Sequence, residues 1–529
     1  MFTRTRLTGP LRSVGAALAL ALAAATAGAG AAEATPKQPT PQLTWTDCPA
    51  EPSGAPADPR LRCTTLRVPL DYRAPRGRTI EIAVSRLPTA KPGLRRGVLV
   101  HNGGGPGVAS LHLPTAQEAG YPQEVLDRYD LVSFDPRGVG RSTPATCGRT
   151  AAEVPYELVF AFPAPDGSIA PNVRYARDLA RDCLAGDREL LRQMTTANTA
   201  RDLDRIRAAL GESRISYRAA SYGTYLGAVY AELFPGRTDR FVLDANVDPN
   251  VTWTDRLAAW DRASELRFAD FAAWAAERDA TLRFGATPAA VRANYLALAA
   301  KLDRTPVNHP VAGPVDGNLW RTIYRLDSYH TALFQEIADW WRFLADDGAG
   351  PVPYWWLAKG PSDIPEDNDV IGLTAVLCAD DAAPRDLSRY QRNVTESGRR
   401  NPILNGMGAN VWPCAFWPAP VEPAVRVTDR GPANILLLQT ERDPATPLVG
   451  ALGMRKALGK RARMVTVDSG NHGAYDRWVP SCAVTAADRF LSTGVLPARD
   501  LSCAPDPVAP AVAASAPAAV TTARTSVLG

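Results

Sequence analysis

Three polar residues stand directly after short apolar runs, and together their side chains could carry out nucleophilic catalysis. Ser221 lies in Ala219-Ala220-Ser221-Tyr222-Gly223, with a small residue two positions away on each side. Asp443 follows the run ILLLQT, and His472 follows the run ARMVTV. A serine hydroxyl can attack a carbonyl when an imidazole takes its proton and a carboxylate orients that imidazole. These residue types predict a triad in which Ser221 is the nucleophile, His472 the base and Asp443 the orienting acid.

The elements that must position these residues alternate between strand and helix patterns. Strands are expected at residues 96–101, 129–134, 215–220, 240–244, 433–440 and 462–467, and helices at about 199–210 and 222–234. This alternation is typical of an α/β fold with a mostly parallel sheet. A serine on a strand–turn–helix elbow, followed along the chain by an aspartate and then a histidine, indicates the α/β-hydrolase fold.

A glycine-rich loop, residues 103–107, follows the first of these strands. Its backbone N–H groups, with that of Tyr222, could stabilise the negative charge that develops on a substrate carbonyl. A phosphate-binding loop is the alternative, but the loop lacks both Gly-Lys-Ser/Thr and G-x-G-x-x-G spacing. Five histidines without an H-E-x-x-H motif argue against a metalloenzyme, so we expect no metal and no cofactor.

The strand–helix alternation stops between residues 249 and 430, where ten of the twelve tryptophans lie on mainly helical patterns. We interpret this segment as a helical lid inserted between core strands. The core then consists of residues 33–248 and 431–503, followed by a flexible Ala/Pro-rich tail at residues 504–529. A separate second domain followed by a third is the alternative, which the short strands that resume after residue 430 disfavour.

The N-terminal segment and the cysteines both indicate export. Residues 1–32 carry three arginines, then an apolar stretch and small residues, as secretory signal peptides do. The apolar stretch of about 14 residues is too short for a comfortable membrane anchor. Eight cysteines without a C-x-x-C pair suggest disulfides between sequence neighbours, namely 48–63, 147–183, 378–414 and 482–503. We therefore expect a secreted protein that keeps no membrane segment after signal cleavage.

The composition is that of a globular protein rather than a nucleic-acid binder. The 529 residues are 46% hydrophobic and 22% charged, with a formal net charge of only +4. No basic run is interleaved with aromatic residues, so nucleic-acid binding is not expected. We expect a monomer.

Several strings occur in one order along the chain. They are WTDC at 45–48, GGPG at 104–107, FDPRGVG at 134–140, SYGTYLG at 221–227, ERD at 441–443 and HG at 472–473. With these strings the chain resembles the secreted actinobacterial tripeptidyl aminopeptidases, which are serine hydrolases related to prolyl aminopeptidases. The resemblance extends from about Trp45 to Cys503. One departure is Ala219, where the family has glycine.

The resemblance implies an α/β-hydrolase core, a helical lid, and a peptide substrate cleaved near its free N-terminus. It gives Ser221, Asp443 and His472 the same catalytic roles and places the oxyanion donors at Gly105 and Tyr222. The segment at residues 375–380 is similar to the family's Cys-x-Asp lid string. It suggests Asp380 first, and Asp381 second, as the acid that holds a substrate ammonium. A solvated acid beside a disulfide is the alternative.

Two other functions stay open at this point. An esterase or amidase acting on small acyl compounds would use the same three residues. A catalytically silent secreted binding protein could keep the fold, although an intact set of catalytic residues argues against it.

Overall fold

The computed structural model describes residues 43–51, 56–354, 363–476 and 481–504. The predicted signal peptide lies outside these residues, as does the predicted tail beyond Ala504.

Twelve strands and sixteen α-helices make up the described part of the chain. The strands are β1 (Thr46–Asp47), β2 (Arg62–Pro69), β3 (Thr79–Leu87), β4 (Gly97–Asn102), β5 (Tyr129–Phe134), β6 (Ile215–Ala220), β7 (Thr238–Asp244), β8 (Val307–His309), β9 (Gly313–Val315), β10 (Ile435–Thr440), β11 (Ala462–Val467) and β12 (Leu501–Cys503). The helices are α1 (Leu113–Glu118), α2 (Gln123–Leu126), α3 (Tyr156–Val159), α4 (Ala170–Ala185), α5 (Arg188–Gln193), α6 (Thr196–Ala209), α7 (Tyr222–Leu233), α8 (Trp253–Ala276), α9 (Asp279–Leu282), α10 (Pro288–Leu302), α11 (Gly317–Asp327), α12 (Phe334–Ala345), α13 (Asn368–Asp380), α14 (Leu387–Arg400), α15 (Leu448–Leu458) and α16 (Cys482–Thr493). Short 3₁₀ segments are Pro92–Leu94, Ala151–Glu153, Pro235–Arg237, Thr331–Leu333, Met407–Ala409, Pro413–Phe416 and Gly459–Arg461.

Ten of the strands form one sheet in the order β1-β2-β3-β5-β4-β6-β7-β10-β11-β12. The pairs at the β1 end are antiparallel, up to the pair of β3 with β5. All pairs from β5 to β12 are parallel. The mostly parallel sheet with connecting helices confirms the predicted α/β-hydrolase fold. The three strands of the antiparallel part, β1, β2 and β3, and the edge strand β12 were not predicted.

Alternate residues of the central strands pack into two different cores, one on each face of the sheet. Val98, Val100, Tyr217 and Leu437 join helices such as α6, α7 and α15 in one core. Leu99, Val242, Leu436 and Val465 join α2 and α16 in the other. Because successive side chains of a strand point to opposite faces, these near-continuous apolar runs are buried on both sides. The sheet is therefore a rigid platform for the loops at its edges.

The segment between β7 and β10 is mainly helical, but it is not helical throughout. Its described part contains α8 to α14 and a small antiparallel hairpin of β8 and β9, which the sequence patterns did not predict. An aromatic core of its own holds α8, α10, α11 and α12 together. By contrast, α13 packs into the core of the large sheet through residues such as Ile371 and Leu377. Its role as a lid stays a prediction.

Helix α6 begins three residues before the predicted start at Thr199. The Thr195 side chain accepts a hydrogen bond from the N–H of Asn198 at 3.0 Å, which caps the helix at its first turn. The polar run of threonine and asparagine at this point concealed the apolar periodicity that marks the rest of the helix.

All four predicted disulfides are present, joining Cys48 to Cys63, Cys147 to Cys183, Cys378 to Cys414 and Cys482 to Cys503. Disulfides of this number are characteristic of proteins from oxidising compartments. Among the described residues, no helix combines the length and the apolar character needed to cross a bilayer.

Candidate active site

Ser221 lies on a tight turn between β6 and α7. Its φ of +58° and ψ of −130° are values that a residue other than glycine rarely adopts. Hydrogen bonds hold the turn on both sides. The Ser221 N–H donates to the carbonyl of Asp244 at 3.0 Å, and the Ser221 carbonyl accepts from the N–H of Thr224 at 2.9 Å. This strained strand–turn–helix geometry is that of a nucleophile elbow.

The small residues around Ser221 are needed because two elements nearly touch. A Cβ added at Gly223 would lie 2.5 Å from the Ala219 Cβ and 3.1 Å from the Asn102 Oδ1. Asn102 is the last residue of β4 and pairs with Ala219 in the sheet. The chain therefore accommodates alanine at position 219 because Gly223 has no side chain.

Asp443 and His472 form a buried pair. The His472 Nδ1 lies 2.9 Å from one carboxylate oxygen of Asp443 and 3.0 Å from the other. The N–H groups of Ala445 and Thr446 both donate to the Asp443 Oδ1 at 2.8 Å, and the Thr446 hydroxyl donates to the Oδ2 at 2.8 Å. These bonds fix the carboxylate so that it can hold the imidazole in one orientation.

Residues from the segment between β7 and β10 contact His472. The Tyr329 carbonyl accepts the His472 N–H at 2.7 Å, and the two rings meet edge to face with centroids 4.8 Å apart. The neighbouring His330 is buried, and burial lowers its pKa to about 3, aided by the charges of His472 and Arg267. His330 is therefore uncharged at neutral pH.

Asp244, at the end of β7, connects the Ser221 turn to the His472 loop. Its carbonyl accepts the Ser221 N–H, and its carboxylate accepts the N–H groups of Ala474 and Tyr475 at 2.8 and 2.9 Å. Burial raises the pKa of this carboxyl group, although the two N–H donors oppose the shift. The order β6-β7-β10-β11 then brings the loops of Ser221, Asp443 and His472 to one edge of the sheet.

The glycine loop after β4 lies beside the elbow. The N–H of Gly103 donates to the Ser110 Oγ at 3.0 Å, and the N–H of Gly104 donates to the Asn102 Oδ1 at 3.1 Å. Both groups serve the loop itself. The predicted oxyanion donors are Gly105, with φ +91°, and Tyr222, at the start of α7. A Cβ at Gly107 would lie 2.4 Å from the backbone of Leu373, so α13 presses against this loop.

Asp380 and Asp381 are the acids predicted to hold a substrate amine. Asp380 is the last residue of α13, and Asp381 follows it. Asp380 is buried, with 6% of its surface exposed, so the alternative hypothesis that it is a solvated acid is wrong. Its carboxylate accepts the Thr196 N–H at 2.7 Å, the Thr196 hydroxyl at 2.6 Å and the Trp253 Nε1–H at 3.3 Å. The Thr196 hydroxyl is also 2.8 Å from the Tyr222 hydroxyl, which joins Asp380 to the elbow helix.

Asp381 is half-buried and accepts the Trp253 N–H at 2.9 Å. Both carboxylates thus already have donors, and a substrate ammonium would have to share them. Burial raises the pKa of Asp380 to about 6 and also raises that of Asp381.

Sequence reasoning missed several residues of this site. Thr446 carried a usable signal, because an aspartate in a Pro-containing turn commonly accepts N–H groups two and three residues later. Asp244 could have been found as an acid at the end of a parallel strand. Tyr329 carried no signal, since it comes from the segment between β7 and β10 and only tertiary packing brings it to His472.

Comparisons with known proteins identify the family of this chain. The family described as "TAP-like protein" matches residues 403–503, the part that contains Asp443 and His472. A tripeptidyl aminopeptidase of Streptomyces lividans is 34% identical over 480 residues, covering 88% of this chain and 87% of that protein. The serine protease Hip1 of Mycobacterium tuberculosis H37Rv is 29% identical over 487 residues, covering 87% of this chain and 91% of that protein.

A further relative from the same mycobacterium bears the name Carboxylesterase B. It is 32% identical over 490 residues, covering 88% of this chain and 90% of that protein. These similarities cover 87% to 88% of the chain rather than one motif. The chain belongs to the tripeptidyl aminopeptidase family of serine hydrolases with the α/β-hydrolase fold.

Proposed function

We propose that this protein is an exported serine exopeptidase that releases short peptides, tripeptides in particular, from free N-termini through an acyl-enzyme. The observation that carries the proposal is the buried Asp443–His472 pair at the same sheet edge as the strained Ser221 elbow. The similarity to a tripeptidyl aminopeptidase over 88% of the chain supports the substrate class. The four disulfides and the signal-peptide pattern of residues 1–32 support export.

In the acylation step, the Ser221 Oγ attacks the carbonyl carbon of the scissile amide. Its proton passes to the Nε2 of His472, while Asp443 holds the Nδ1–H and stabilises the imidazolium. The N–H groups of Gly105 and Tyr222 donate to the oxyanion of the tetrahedral intermediate. When the C–N bond breaks, His472 gives the proton to the leaving amine, and the N-terminal fragment stays esterified to Ser221.

In the deacylation step, water attacks the ester carbonyl and gives its proton to His472. The C–O bond to Ser221 then breaks, the serine recovers its proton, and the short peptide leaves with a new carboxylate. Counting residues from the N-terminus requires a group that holds the substrate ammonium. Asp380 and Asp381 are the proposed acids, since their carboxylates lie beside the elbow helix through Thr196 and Trp253.

An esterase or amidase acting on small acyl compounds is the second candidate. The relative named Carboxylesterase B, 32% identical over 490 residues, favours it. The same three catalytic residues would perform that reaction, so the two candidates differ in what the rest of the site binds.

The deciding experiment compares an Ala-Pro-Ala anilide with a free amine, the same anilide with a blocked amine, and a small p-nitrophenyl ester. Ser221→Ala and a fluorophosphonate label accompany it. We expect label on Ser221 and strong preference for the free amine, both lost in Ser221→Ala. Equal cleavage of both anilides would contradict the amine-anchoring acids, and ester turnover alone would favour the second candidate. Absence of label on Ser221 would contradict the triad.

A further inference from the structure

Arg325 is a fully buried cation in the segment between β7 and β10. It lies on α11 with 0% of its surface exposed. Its Nε, Nη1 and Nη2 atoms have no hydrogen-bond partner among the described residues. A guanidinium can donate five hydrogen bonds, and a buried charge that makes none destabilises a fold. Such a residue calls for a physical explanation.

Other buried arginines in this chain do have partners. Arg137, equally buried, donates to both carboxylate oxygens of Asp202 at 2.7 Å and to the carbonyl of Leu70 at 2.8 Å. Arg461 donates to the carbonyl of Ala231 at 2.9 Å. Each of these two guanidinium groups donates at least one hydrogen bond, whereas the Arg325 guanidinium donates none to the described residues.

Aromatic rings, rather than polar groups, surround the Arg325 guanidinium. Its Cζ lies 4.0 Å from the ring centroid of Trp260, 5.6 Å from that of Tyr329 and 5.7 Å from that of Phe160. Ring faces attract a cation but do not replace its lost hydration. The rings hold the guanidinium in place and keep water away from it.

Two of these rings connect Arg325 to the proposed catalytic pair. The Trp260 Nε1–H donates to the Ala445 carbonyl at 2.6 Å, and the Ala445 N–H donates to the Asp443 Oδ1 at 2.8 Å. On the other side, Tyr329 contacts the His472 ring and accepts the His472 N–H. Arg325 thus lies against the supports of both the acid and the base.

Two acidic residues lie within electrostatic reach of Arg325. Burial lowers the pKa of Arg325, while the nearby charges of Asp261 and Asp443 oppose that shift. Asp261 itself is engaged elsewhere, because it accepts the Ser397 hydroxyl at 2.6 Å and the Gly408 N–H at 3.0 Å. The charged and titratable groups that face the catalytic pair or its neighbours are Arg325, Tyr329, His330, Asp244, Asp261, Arg267 and Arg218.

We propose that Arg325 is a positioning residue for the Asp443–His472 pair, which acts through Trp260 and Tyr329 and through its positive charge. This inference rests on the proposed function. In a site shielded from water, charges interact more strongly than in bulk water, so the positive charge of Arg325 can act on the pair. The same cation fixes Trp260 and Tyr329, and these two residues hold the Ala445 carbonyl and the His472 backbone.

The test is Arg325→Met, with kcat, KM and the pH profile of kcat/KM measured on the free-amine anilide. We expect kcat to fall 10- to 100-fold with KM changed less than threefold. Without the cation the imidazolium is easier to form, so the acidic limb of the profile should move up by on the order of one pH unit. The apparent melting temperature should stay the same or rise, because an unpaired buried charge has been removed.

Arg325→Lys keeps the charge and should hold the acidic limb at the wild-type position. Trp260→Phe keeps a ring beside Arg325 but loses the bond to the Ala445 carbonyl, so kcat should fall without a shift of the limb. Arg278→Met is the matched control, since Arg278 stacks on Trp274 at 4.8 Å in the same segment. It should leave both kcat and the limb unchanged.

A purely structural role would lower the melting temperature of Arg325→Met while kcat and the limb stay at wild-type values, which would overturn the inference. If Arg325→Met is insoluble, Arg325→Gln replaces it, and an unmoved limb in that variant has the same meaning. Wild-type protein that takes no fluorophosphonate label and cleaves no substrate would overturn the proposed function itself, a result distinct from an unmoved limb.

Discussion

At the residue scale, buried charges are stabilised in two ways, by an ion pair or by several hydrogen-bond donors. Arg137 and Asp202 form a fully buried ion pair, whereas hydrogen-bond donors surround Asp443 and orient its carboxylate toward His472. In an ion pair of the first kind, the two charges neutralise each other and take no part in catalysis. Donors of the second kind leave one carboxylate face for the imidazole, as a triad requires.

Asp380 provides a prediction about stability and pH. Its pKa of about 6 lies above the ordinary value of 3.8, so the folded protein keeps this proton to a higher pH than the unfolded chain does. The free energy of unfolding should therefore fall as pH rises through the window from 3.8 to about 6. A shift of about two units corresponds to about 3 kcal/mol.

The measurement compares urea unfolding of the wild type and Asp380→Asn at pH 4 and pH 7. Because the asparagine does not titrate, the stability of the wild type relative to the variant should be lower at pH 7 by up to about 3 kcal/mol. Parallel pH dependence of the two proteins would contradict a raised pKa for Asp380.

At the scale of elements, the site depends on how closely β4, β6 and α7 approach one another. The turn at Ser221 leaves room for only one Cβ between positions 219 and 223, and the chain uses it for Ala219. The pattern of small residues around the serine is thus a packing requirement of the strand–turn–helix junction. It is independent of the chemistry of the serine.

Gly223→Ala tests this requirement. The added methyl would meet the Ala219 Cβ at 2.5 Å, so we expect a loss of about 1–3 kcal/mol of stability and slower fluorophosphonate labelling of Ser221. In the double variant Ala219→Gly/Gly223→Ala the clash is relieved, and most of the labelling rate should return. If the double variant is as impaired as Gly223→Ala, the contact with Asn102, not that with Ala219, excludes a side chain at position 223.

At the scale of the whole molecule, the sheet and the disulfides stabilise the fold in different ways. The sheet buries apolar residues on both faces, while each disulfide closes a local loop. The bond between Cys378 and Cys414 joins α13, which ends at Asp380, to the 3₁₀ segment Pro413–Phe416. It therefore anchors α13, whose last residue reaches the elbow helix through Thr196.

Removing this bond should destabilise the protein. Cys378→Ala/Cys414→Ala opens a loop of 36 residues, for which chain entropy gives a loss of about 4 kcal/mol. The matched control, Cys48→Ala/Cys63→Ala, opens a loop of 15 residues and should cost about 3 kcal/mol. Thermal unfolding checks the order of the two variants. Equal melting temperatures for the first variant and the wild type would contradict a stabilising role.

The sequence by itself predicted the fold class, the central strands, a pairing of the cysteines that the structure confirms, and the residues of the candidate triad. These features are local: apolar runs, small residues around Ser221, and cysteines close together along the chain. Only the tertiary structure brought Tyr329 against His472 and Arg325 against Trp260, and only it buried Asp380 under Thr196 and Trp253. Such contacts join residues more than 50 positions apart, and no local pattern encodes them.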